Sequence, residues 1–277
     1  MSRGAHRPGC EADTHALARV PAELWGALAD SARQLLMLDY DGTLAALVVE
    51  RDRAIPCARS LELLMQCAAR PECEIAIVSG RPVLELKALL GGVPFVLIGE
   101  HGWESAVAER GVQRRPLPGP AAAALTEAFV AARRCLPVDL LERKRTALVL
   151  HTRGLPEAEH LALWERARSA WAPHGEKEGP LELHPSHGGL ELRARGHDKG
   201  SAVRALRACS PAGTLAVYVG DDETDEAAFE AVRETGYGIR VGPPVETAAT
   251  GALADPVALA VFLAEWARIR SRPDPGA

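Results

Sequence analysis

Two aspartates follow an apolar run in the stretch LLMLDYDGTL, which covers residues 35–44. Asp39 and Asp41 are two positions apart, so on a strand both carboxylates point to the same face and meet the same substrate. Asp41 and Gly42 are also a common turn pair. The apolar run before them favours a buried strand over a surface turn. The sequence therefore predicts a pair of reactive acids at the end of a strand.

Polar groups also follow two other apolar runs. Ser79 and Gly80 come after EIAIV, and Asp221 and Asp222 come after TLAVYVG. Because ligands bind at the carboxyl ends of the strands in open α/β sheets, we expect these groups to lie close to the first two acids. Clustered carboxylates repel one another and favour a bound cation. A site made only of oxygen ligands suits Mg²⁺.

One lysine is well placed to share this charge. Lys199 opens a predicted helix in HDKGS, in a chain that has only three other lysines. A lysine beside carboxylates neutralises them and holds a phosphate as a point charge. The Ser79 hydroxyl and the main-chain N–H of Gly80 add hydrogen bonds to phosphate. A carboxylate nucleophile, a cation, a lysine and a hydroxyl together predict a phosphoryl-transfer site.

The elements that position these residues follow an α/β rhythm. Short apolar runs alternate with helical patterns in the first part of the chain and again from Asp198 onward. This alternation predicts an α/β fold with a doubly wound, mainly parallel sheet. In the middle of the chain, strands with one polar face predict a smaller α+β domain. We expect a catalytic core of residues 1–107 and 193–277, with residues 108–192 inserted as a cap.

Composition and charge argue against several classes of protein. The 277 residues are 47% hydrophobic and carry a formal net charge of −5, without a basic block, so nucleic acid is not expected as a partner. No apolar run reaches the roughly 18–20 residues that span a bilayer, and the first residues lack the apolar centre of a signal peptide. The six cysteines are scattered and have no zinc spacing. We expect a cytoplasmic protein without a membrane partner.

Four short motifs occur along the chain in the order DYDGT, SGR, DKG and GDDETD. This series resembles that of the haloacid dehalogenase-type phosphatases. The resemblance implies that Asp39 attacks the phosphorus and forms an aspartyl-phosphate. It implies that Asp41 protonates the leaving oxygen and then activates water. Ser79 and Lys199 would hold the phosphoryl group.

The same resemblance implies where a metal ion binds. Mg²⁺ would be held by Asp39, by the main-chain oxygen of Asp41 and by Asp221. Asp222 and Asp225 would support the ion directly, through water, or from behind its ligands. The cofactor expected from the sequence is therefore Mg²⁺.

The inserted region has to define the substrate, because the core motifs give only the reaction. The segments LERKRTALVLHTRG, ELR and VGDDETDEAAF are similar to those of the trehalose-6-phosphate phosphatases, and the similarity extends over about residues 33–265. It implies hydrolysis of trehalose 6-phosphate under a closing cap, and a functional link to trehalose-6-phosphate synthase. The residues implied to bind substrate are Gly80, Arg81 at the seam of cap and core, Glu142, Lys144, Arg153 and Glu191.

Two alternatives remain open. The first is a phosphatase of another sugar phosphate, such as sucrose 6-phosphate or glucosylglycerol phosphate, which the cap motifs argue against. One departure from the family pattern is Thr152 in HTR, where an aromatic residue is more usual. The second is a non-catalytic regulatory domain, which the intact motif acids and lysine argue against. We expect a monomer whose partner is a small sugar phosphate.

Overall fold

Strands and helices alternate along the computed structural model, which describes residues 16–107, 111–175, 178–186 and 188–270. The strands of the described chain are β1 (Gln34–Leu38), β2 (Cys73–Val78), β3 (Val96–Gly99), β4 (Glu104–Val107), β5 (Gln113–Arg114), β6 (Leu141–Arg143), β7 (Ala147–His151), β8 (Leu181–Ser186), β9 (Gly189–Ala194), β10 (Leu215–Gly220), β11 (Gly236–Val241) and β12 (Gly251–Leu253). The α-helices are α1 (Ala22–Asp30), α2 (Ala58–Ala68), α3 (Val83–Leu90), α4 (Gly119–Ala132), α5 (Glu157–Trp171), α6 (Lys199–Cys209), α7 (Glu226–Val232) and α8 (Pro256–Arg270).

The larger sheet forms the core, and its strand order is β12-β11-β10-β1-β2-β3-β4-β5. The strands from β12 to β3 pair in parallel, and β4 and β5 are antiparallel additions at one edge. Both faces are covered by helices, because Leu36 and Leu38 pack in one apolar cluster and Leu35 and Met37 in another. The predicted α/β class with a doubly wound, mainly parallel sheet is confirmed.

The smaller sheet is antiparallel, with the order β6-β7-β9-β8. In the chain, its strands lie between β5 and β10 of the core sheet. One of its faces packs on α4 and α5, through side chains such as Leu148, Leu150 and Leu192. The residues between them on the strands point the other way, and Val149 and Glu191 face a cavity beside the core sheet. This alternation is the pattern expected of a sheet that is backed by helices on one side only.

Some elements are not predicted from the sequence. β4 turns back along β3, and β5 turns back along β4, so both extend the core sheet. β5 has only two residues, both exposed, and no apolar pattern that would predict it. The chain therefore leaves the core sheet at Arg114, and the cap sheet starts at Leu141 and ends at Ala194. The domain limits at residues 108 and 192 stay predictions. The helix α1 begins at Ala22, directly after Pro21.

The aromatic side chain at the centre of the cap gives a test of this packing. Trp171 is fully buried against α4 and the cap sheet, so it is a core residue of the cap. We expect Trp171→Ala to lower the free energy of unfolding by about 3–5 kcal/mol, because it leaves a large cavity. Urea denaturation followed by circular dichroism measures this loss. Leu161→Ala, at a site on the same helix that is 53% exposed, is the control and should change little; an equal effect of the two variants would contradict the packing.

Candidate active site

Three core strands deliver the predicted polar groups to one edge of the sheet. β1 pairs in parallel with β10 on one side and with β2 on the other, and the three strands end at neighbouring positions. Asp39 follows β1, Ser79 follows β2 and Asp221 follows β10. All three side chains belong to buried residues. The parallel register therefore brings together acids that are far apart in the sequence.

A buried lysine connects two of the acids. Lys199 Nζ lies 2.8 Å from Asp39 Oδ1 and 2.8 Å from Asp225 Oδ1. Lys199 is the first residue of α6, and the helix is capped by Asp198, whose side chain accepts a hydrogen bond from the N–H of Ser201. Burial by itself lowers the pKa of Lys199, but the carboxylates of Asp225 and Asp39 raise it above its usual value. The lysine therefore stays charged.

Asp225 is engaged on both of its carboxylate oxygens. Oδ1 accepts from Lys199 and from the hydroxyl of Tyr218, and Oδ2 accepts from the N–H groups of Asp221 and Asp222 at 3.1 and 2.9 Å. Asp225 is fully buried. With four donors on two oxygens, this carboxylate fixes the loop that carries the other two acids. Asp222 in turn accepts from the N–H of Glu223 and stands at the wall of the cavity.

The carboxylates at this edge suit a divalent cation. Asp39, Asp221 and Asp225 each offer an oxygen, and the three oxygens lie within 4.8 Å of one another. Burial raises the pKa of Asp39 well above its usual range, against the charge of Lys199, and Asp225 and Asp221 raise it further. The cluster thus has more negative charge than the lysine balances. Hard oxygen ligands with this excess charge fit a cation such as Mg²⁺.

Gly42 makes room for one of these acids. Its φ is +84°, and a Cβ atom at this position would lie 2.0 Å from Asp221 Oδ2. The next residue, Thr43, donates a hydrogen bond from Oγ1 to Asp221 Oδ1 at 3.1 Å. Only glycine allows both the left-handed backbone and this close approach. The DG pair of the first motif is therefore needed for a turn that packs against the third acid.

The second acid of the first motif is held by an arginine. Arg81 donates from Nε and Nη2 to the two oxygens of Asp41, both at 2.6 Å, and also contacts Glu85. The Arg81 guanidinium lies 5.4 Å from the centre of the Tyr40 ring. Arg81 is buried, whereas about 29% of the Asp41 side chain is exposed. Arg81, predicted to lie near the substrate or the nucleophile, lines the cavity and orients Asp41.

Ser79 and Gly80 form the turn after β2. Ser79 Oγ accepts a hydrogen bond from the N–H of Arg81 at 3.1 Å and lines the cavity. A Cβ atom on Gly80 would lie 2.7 Å from His101 Nε2, so a larger residue would collide with the imidazole. The carbonyl oxygen of Gly80 accepts from Lys144 Nζ at 3.1 Å. This turn is thus a point where the cap reaches the main chain of the core.

Two predicted cap residues form a buried ion pair beside the core. Lys144 Nζ lies 3.1 Å from Glu191 Oε1, and His101 Nε2 lies 3.0 Å from Glu191 Oε2. Burial raises the pKa of Glu191, but the charge of Lys144 and the contact with His101 lower it well below its usual range. Burial also lowers the pKa of His101, against the Glu191 carboxylate. Lys144 and Glu191 thus present a hydrogen-bond donor and an acceptor side by side at the wall of the cavity.

A second group of contacts joins the cap to the core on the other side. Glu142 contacts Arg51, and His151 Nε2 lies 2.8 Å from Glu142 Oε2 and 3.3 Å from Arg51 Nη1. Burial raises the pKa of Glu142. The hydrogen bond from His151 and the charges of Lys144 and Arg51 outweigh burial and lower this pKa to about 2. Glu142 is therefore a carboxylate held between a cap histidine and a core arginine.

The predicted residues surround one cavity of about 160 Å³ between core and cap. Asp225 and Glu142 do not line it but contact residues that do, and Asp221 has an oxygen within 4.8 Å of one on Asp39. Arg153 lines the cavity and donates from Nη1 to the carbonyl oxygen of Val48 at 3.0 Å. The predicted residues that line the cavity are Asp39, Asp41, Ser79, Gly80, Arg81, Lys144, Arg153, Glu191, Lys199 and Asp222.

Other residues of the cavity are not predicted from the sequence. Arg51 comes from a charged segment that resembles a solvated loop, and Leu47 and Val49 add apolar wall. One feature of the sequence indicates His101: it lies in GEHG, directly after the apolar run FVLI. In the structure His101 has φ +56°, a rare conformation for a residue with a side chain. Such strain is maintained where the surroundings hold the residue in place.

The fold and the site define a class of protein. The structure matches the solved C-terminal domain of Candida albicans trehalose-6-phosphate phosphatase with a TM-score of 0.79 and 24% identity, covering 89% of this chain and 96% of that one. The architecture is that of the haloacid dehalogenase-like hydrolases, with a core sheet and an inserted cap sheet.

The sequence defines the family within this class. The trehalose-phosphatase family model matches residues 37–257, and the chain belongs to the trehalose-phosphatase family. It is 30% identical over 216 residues to a trehalose-6-phosphate phosphatase of Escherichia coli, covering 76% of this chain and 79% of the relative. It is 31% identical over 229 residues to a bifunctional trehalose-6-phosphate synthase/phosphatase of Thermoproteus tenax, covering 78% of this chain and 29% of that much longer relative.

No helix among the described residues has both the length and the apolar character needed to cross a membrane.

The pKa of Glu142 gives a test of the contact between cap and core. A carboxyl whose pKa falls to about 2 on folding stabilises the protein above its unfolded pKa of about 4.5, and this stability is lost as the pH falls toward 2. Since the group is partly exposed, we expect Glu142→Gln to cost about 1 kcal/mol at pH 7 and less at pH 3. Urea denaturation at both pH values measures the difference. Glu165→Gln, at an exposed position of α5, is the control; a cost for Glu142→Gln that does not depend on pH would contradict the assignment.

Proposed function

We propose that the chain is a Mg²⁺-dependent phosphatase that hydrolyses trehalose 6-phosphate to trehalose and phosphate. The observation that carries this proposal is that Asp39, Asp41 and Lys199 of the core line the same cavity as Lys144 and Glu191 of the cap. Membership of the trehalose-phosphatase family and the names of its relatives support the choice of sugar. A polar cap wall suits a disaccharide, because sugar hydroxyls both donate and accept hydrogen bonds.

In the proposed reaction Asp39 Oδ attacks the phosphorus, and the bond from phosphorus to the sugar oxygen breaks. Asp41 gives a proton to the leaving oxygen, which departs as the trehalose hydroxyl. A water molecule then attacks the phosphorus of the aspartyl-phosphate, Asp41 takes its proton, and phosphate is released with the Asp39 carboxylate restored. Lys199, Ser79 and the N–H of Gly80 hold the phosphoryl oxygens through both steps.

The metal ligands in this proposal are Asp39, the main-chain oxygen of Asp41 and Asp221. We assign Asp225 to the loop and not to the ion, because four donors already occupy its two oxygens. Asp222, at the wall of the cavity, would act through water. When bound, Mg²⁺ supplies positive charge that offsets the charge developing on the phosphoryl oxygens.

The cap residues have proposed roles in binding the disaccharide. Lys144 and Glu191 offer a donor and an acceptor side by side, and Arg153 extends this set along the cavity. Glu142 would accept from a sugar hydroxyl at the edge of the cavity. Supply of trehalose 6-phosphate requires a glycosyl-transfer reaction, and the Thermoproteus tenax relative is named for both activities. The functional link to a synthase rests on that relative, and the monomeric state stays a prediction.

Replacement of the proposed nucleophile tests the mechanism. We expect Asp39→Asn to lower kcat on trehalose 6-phosphate by about 10⁴-fold or more, because the covalent step is lost. Phosphate release by the purified protein measures this change. The control is Asp30→Asn, which alters an exposed aspartate at the end of α1, and it should retain the activity of the unaltered chain. Turnover by Asp39→Asn near the wild-type rate would contradict the mechanism.

A substrate and metal panel tests the identity of the sugar. We expect release of phosphate from trehalose 6-phosphate to exceed release from glucose 6-phosphate and sucrose 6-phosphate, since the chain belongs to the trehalose-phosphatase family. Removal of divalent cations with EDTA should stop turnover, and added Mg²⁺ should restore it. A clear preference for sucrose 6-phosphate would reject the substrate, and full activity in EDTA would reject the metal.

A further inference from the structure

Charged side chains of alternating sign run in contact from the cap to the proton-transfer carboxylate. Glu142 of β6 contacts Arg51, Arg51 Nη2 lies 3.1 Å from Glu85 Oε2, Glu85 contacts Arg81, and Arg81 holds both oxygens of Asp41 at 2.6 Å. The proposed function gives roles to Glu142 and Asp41 at the two ends, and Arg81 orients Asp41 through its two hydrogen bonds. Arg51 and Glu85 have no role in it, although they complete the connection.

Arg51 occupies the joint between cap and core. It begins the short 3₁₀ turn of residues 51–53 and reaches Glu142 on the cap with Nη1 and Glu85 on α3 with Nη2. His151 of the cap lies 3.3 Å from the same Nη1. The planar guanidinium satisfies carboxylates on two sides at once, which a lysine ammonium on its flexible stem does not reproduce.

The hydrogen bonds from Arg81 fix the orientation of the Asp41 carboxylate. Proton transfer to the leaving oxygen requires an Asp41 oxygen that faces the substrate, and the two hydrogen bonds from Arg81 set the direction in which these oxygens point. Arg81 divides its donors between Asp41 and Glu85, and Glu85 divides its acceptors between Arg81 and Arg51. Loss of Arg51 would leave Glu85 to Arg81 alone. That change would draw the Arg81 guanidinium toward Glu85 and turn the Asp41 carboxylate.

We propose that Arg51 is a positioning residue for proton transfer. It orients Asp41 through Glu85 and Arg81, and its contact with Glu142 makes this orientation depend on the sugar bound under the cap. The inference rests on the proposed function, because it takes Asp41 as the proton-transfer group and a sugar phosphate as the ligand of the cap.

Three phosphate esters separate the possible roles of Arg51. Trehalose 6-phosphate has an alkoxide leaving group and reaches the cap. Glycerol 2-phosphate has an alkoxide leaving group and does not fill the cap. p-Nitrophenyl phosphate has a leaving group that departs without a proton, so its turnover does not depend on a general acid. General acid catalysis as a whole contributes about 10²–10⁴-fold, and a misplaced acid loses part of this.

The test compares Arg51→Gln with Arg53→Gln. Arg53 lies in the same turn, and its pair with Glu50 is largely exposed, so this control should keep wild-type kinetics. For Arg51→Gln we expect kcat to fall about tenfold more on glycerol 2-phosphate than on p-nitrophenyl phosphate. On trehalose 6-phosphate we expect the same fall in kcat together with a higher KM.

Other outcomes would overturn the proposal. An equal loss on all three esters would mean that Arg51 only maintains the fold, and a loss confined to trehalose 6-phosphate would mean that it acts on the cap alone. Arg51→Lys, which keeps the charge, should show the same difference between alkyl and aryl esters in a weaker form. If Arg51→Lys showed no difference between alkyl and aryl esters, the proposal would be wrong, even if Arg51→Gln did not fold.

A double-mutant cycle tests the route through Glu85. The effects of Arg51→Gln and Glu85→Gln on kcat for glycerol 2-phosphate should not add, because both break the same connection. Additive effects would overturn the route. Failure of the proposed function has a different signature, since the wild-type protein would then not turn over trehalose 6-phosphate while the alkyl to aryl comparison could still be made.

Discussion

A lysine ammonium buried between two carboxylates is the interaction on which the rest of the site depends. Removing Lys199, Asp39 and Asp225 from water carries a large desolvation cost, and only close and fully satisfied geometry offsets it. The surroundings provide that geometry. A capped helix fixes Lys199 at its first position, and a tyrosine hydroxyl and two main-chain N–H groups hold Asp225. The apolar strands then hold this charged cluster at one edge of the sheet.

The parts of the site that the sequence predicts are those fixed by local order along the chain. An apolar run followed by an acid indicates a strand end, and parallel strands bring their ends to one edge whatever their separation in sequence. Asp39, Ser79 and Asp221 are predictable for this reason. Lys199 is predictable because the residues around it indicate the start of a helix. An aspartate, which is a common N-cap, precedes it, and glycine and serine follow it. The family resemblance adds the cap residues, which composition alone does not identify.

The remaining residues depend on how the cap meets the core, and no local pattern describes that contact. Arg51 stands in the stretch ERDR, which resembles a solvated turn, and its partners are 34 and 91 residues away along the chain. His101 is part of the site because it contacts Gly80, which follows a core strand, and Glu191 on a cap strand. The strands β4 and β5 are not predicted because strands of four and two residues are too short to show an apolar period. Long-range docking, and not propensity, determines all of these.

The segment that returns from the cap to the core leads directly to Lys199, the lysine proposed to hold the phosphoryl group. Gly196 has φ +115°, the ring of His197 packs edge-on against Trp103 at 4.5 Å, and Asp198 and Ser201 cap each other at the start of α6. Gly196 has no side chain to restrict its backbone, whereas His197, Asp198 and Ser201 are held by these contacts. In the proposed closing of the cap, a change in the backbone angles of Gly196 would leave the contact of Lys199 with Asp39 in place. The point of rotation and the fixed end of the segment would thus be close neighbours in the sequence.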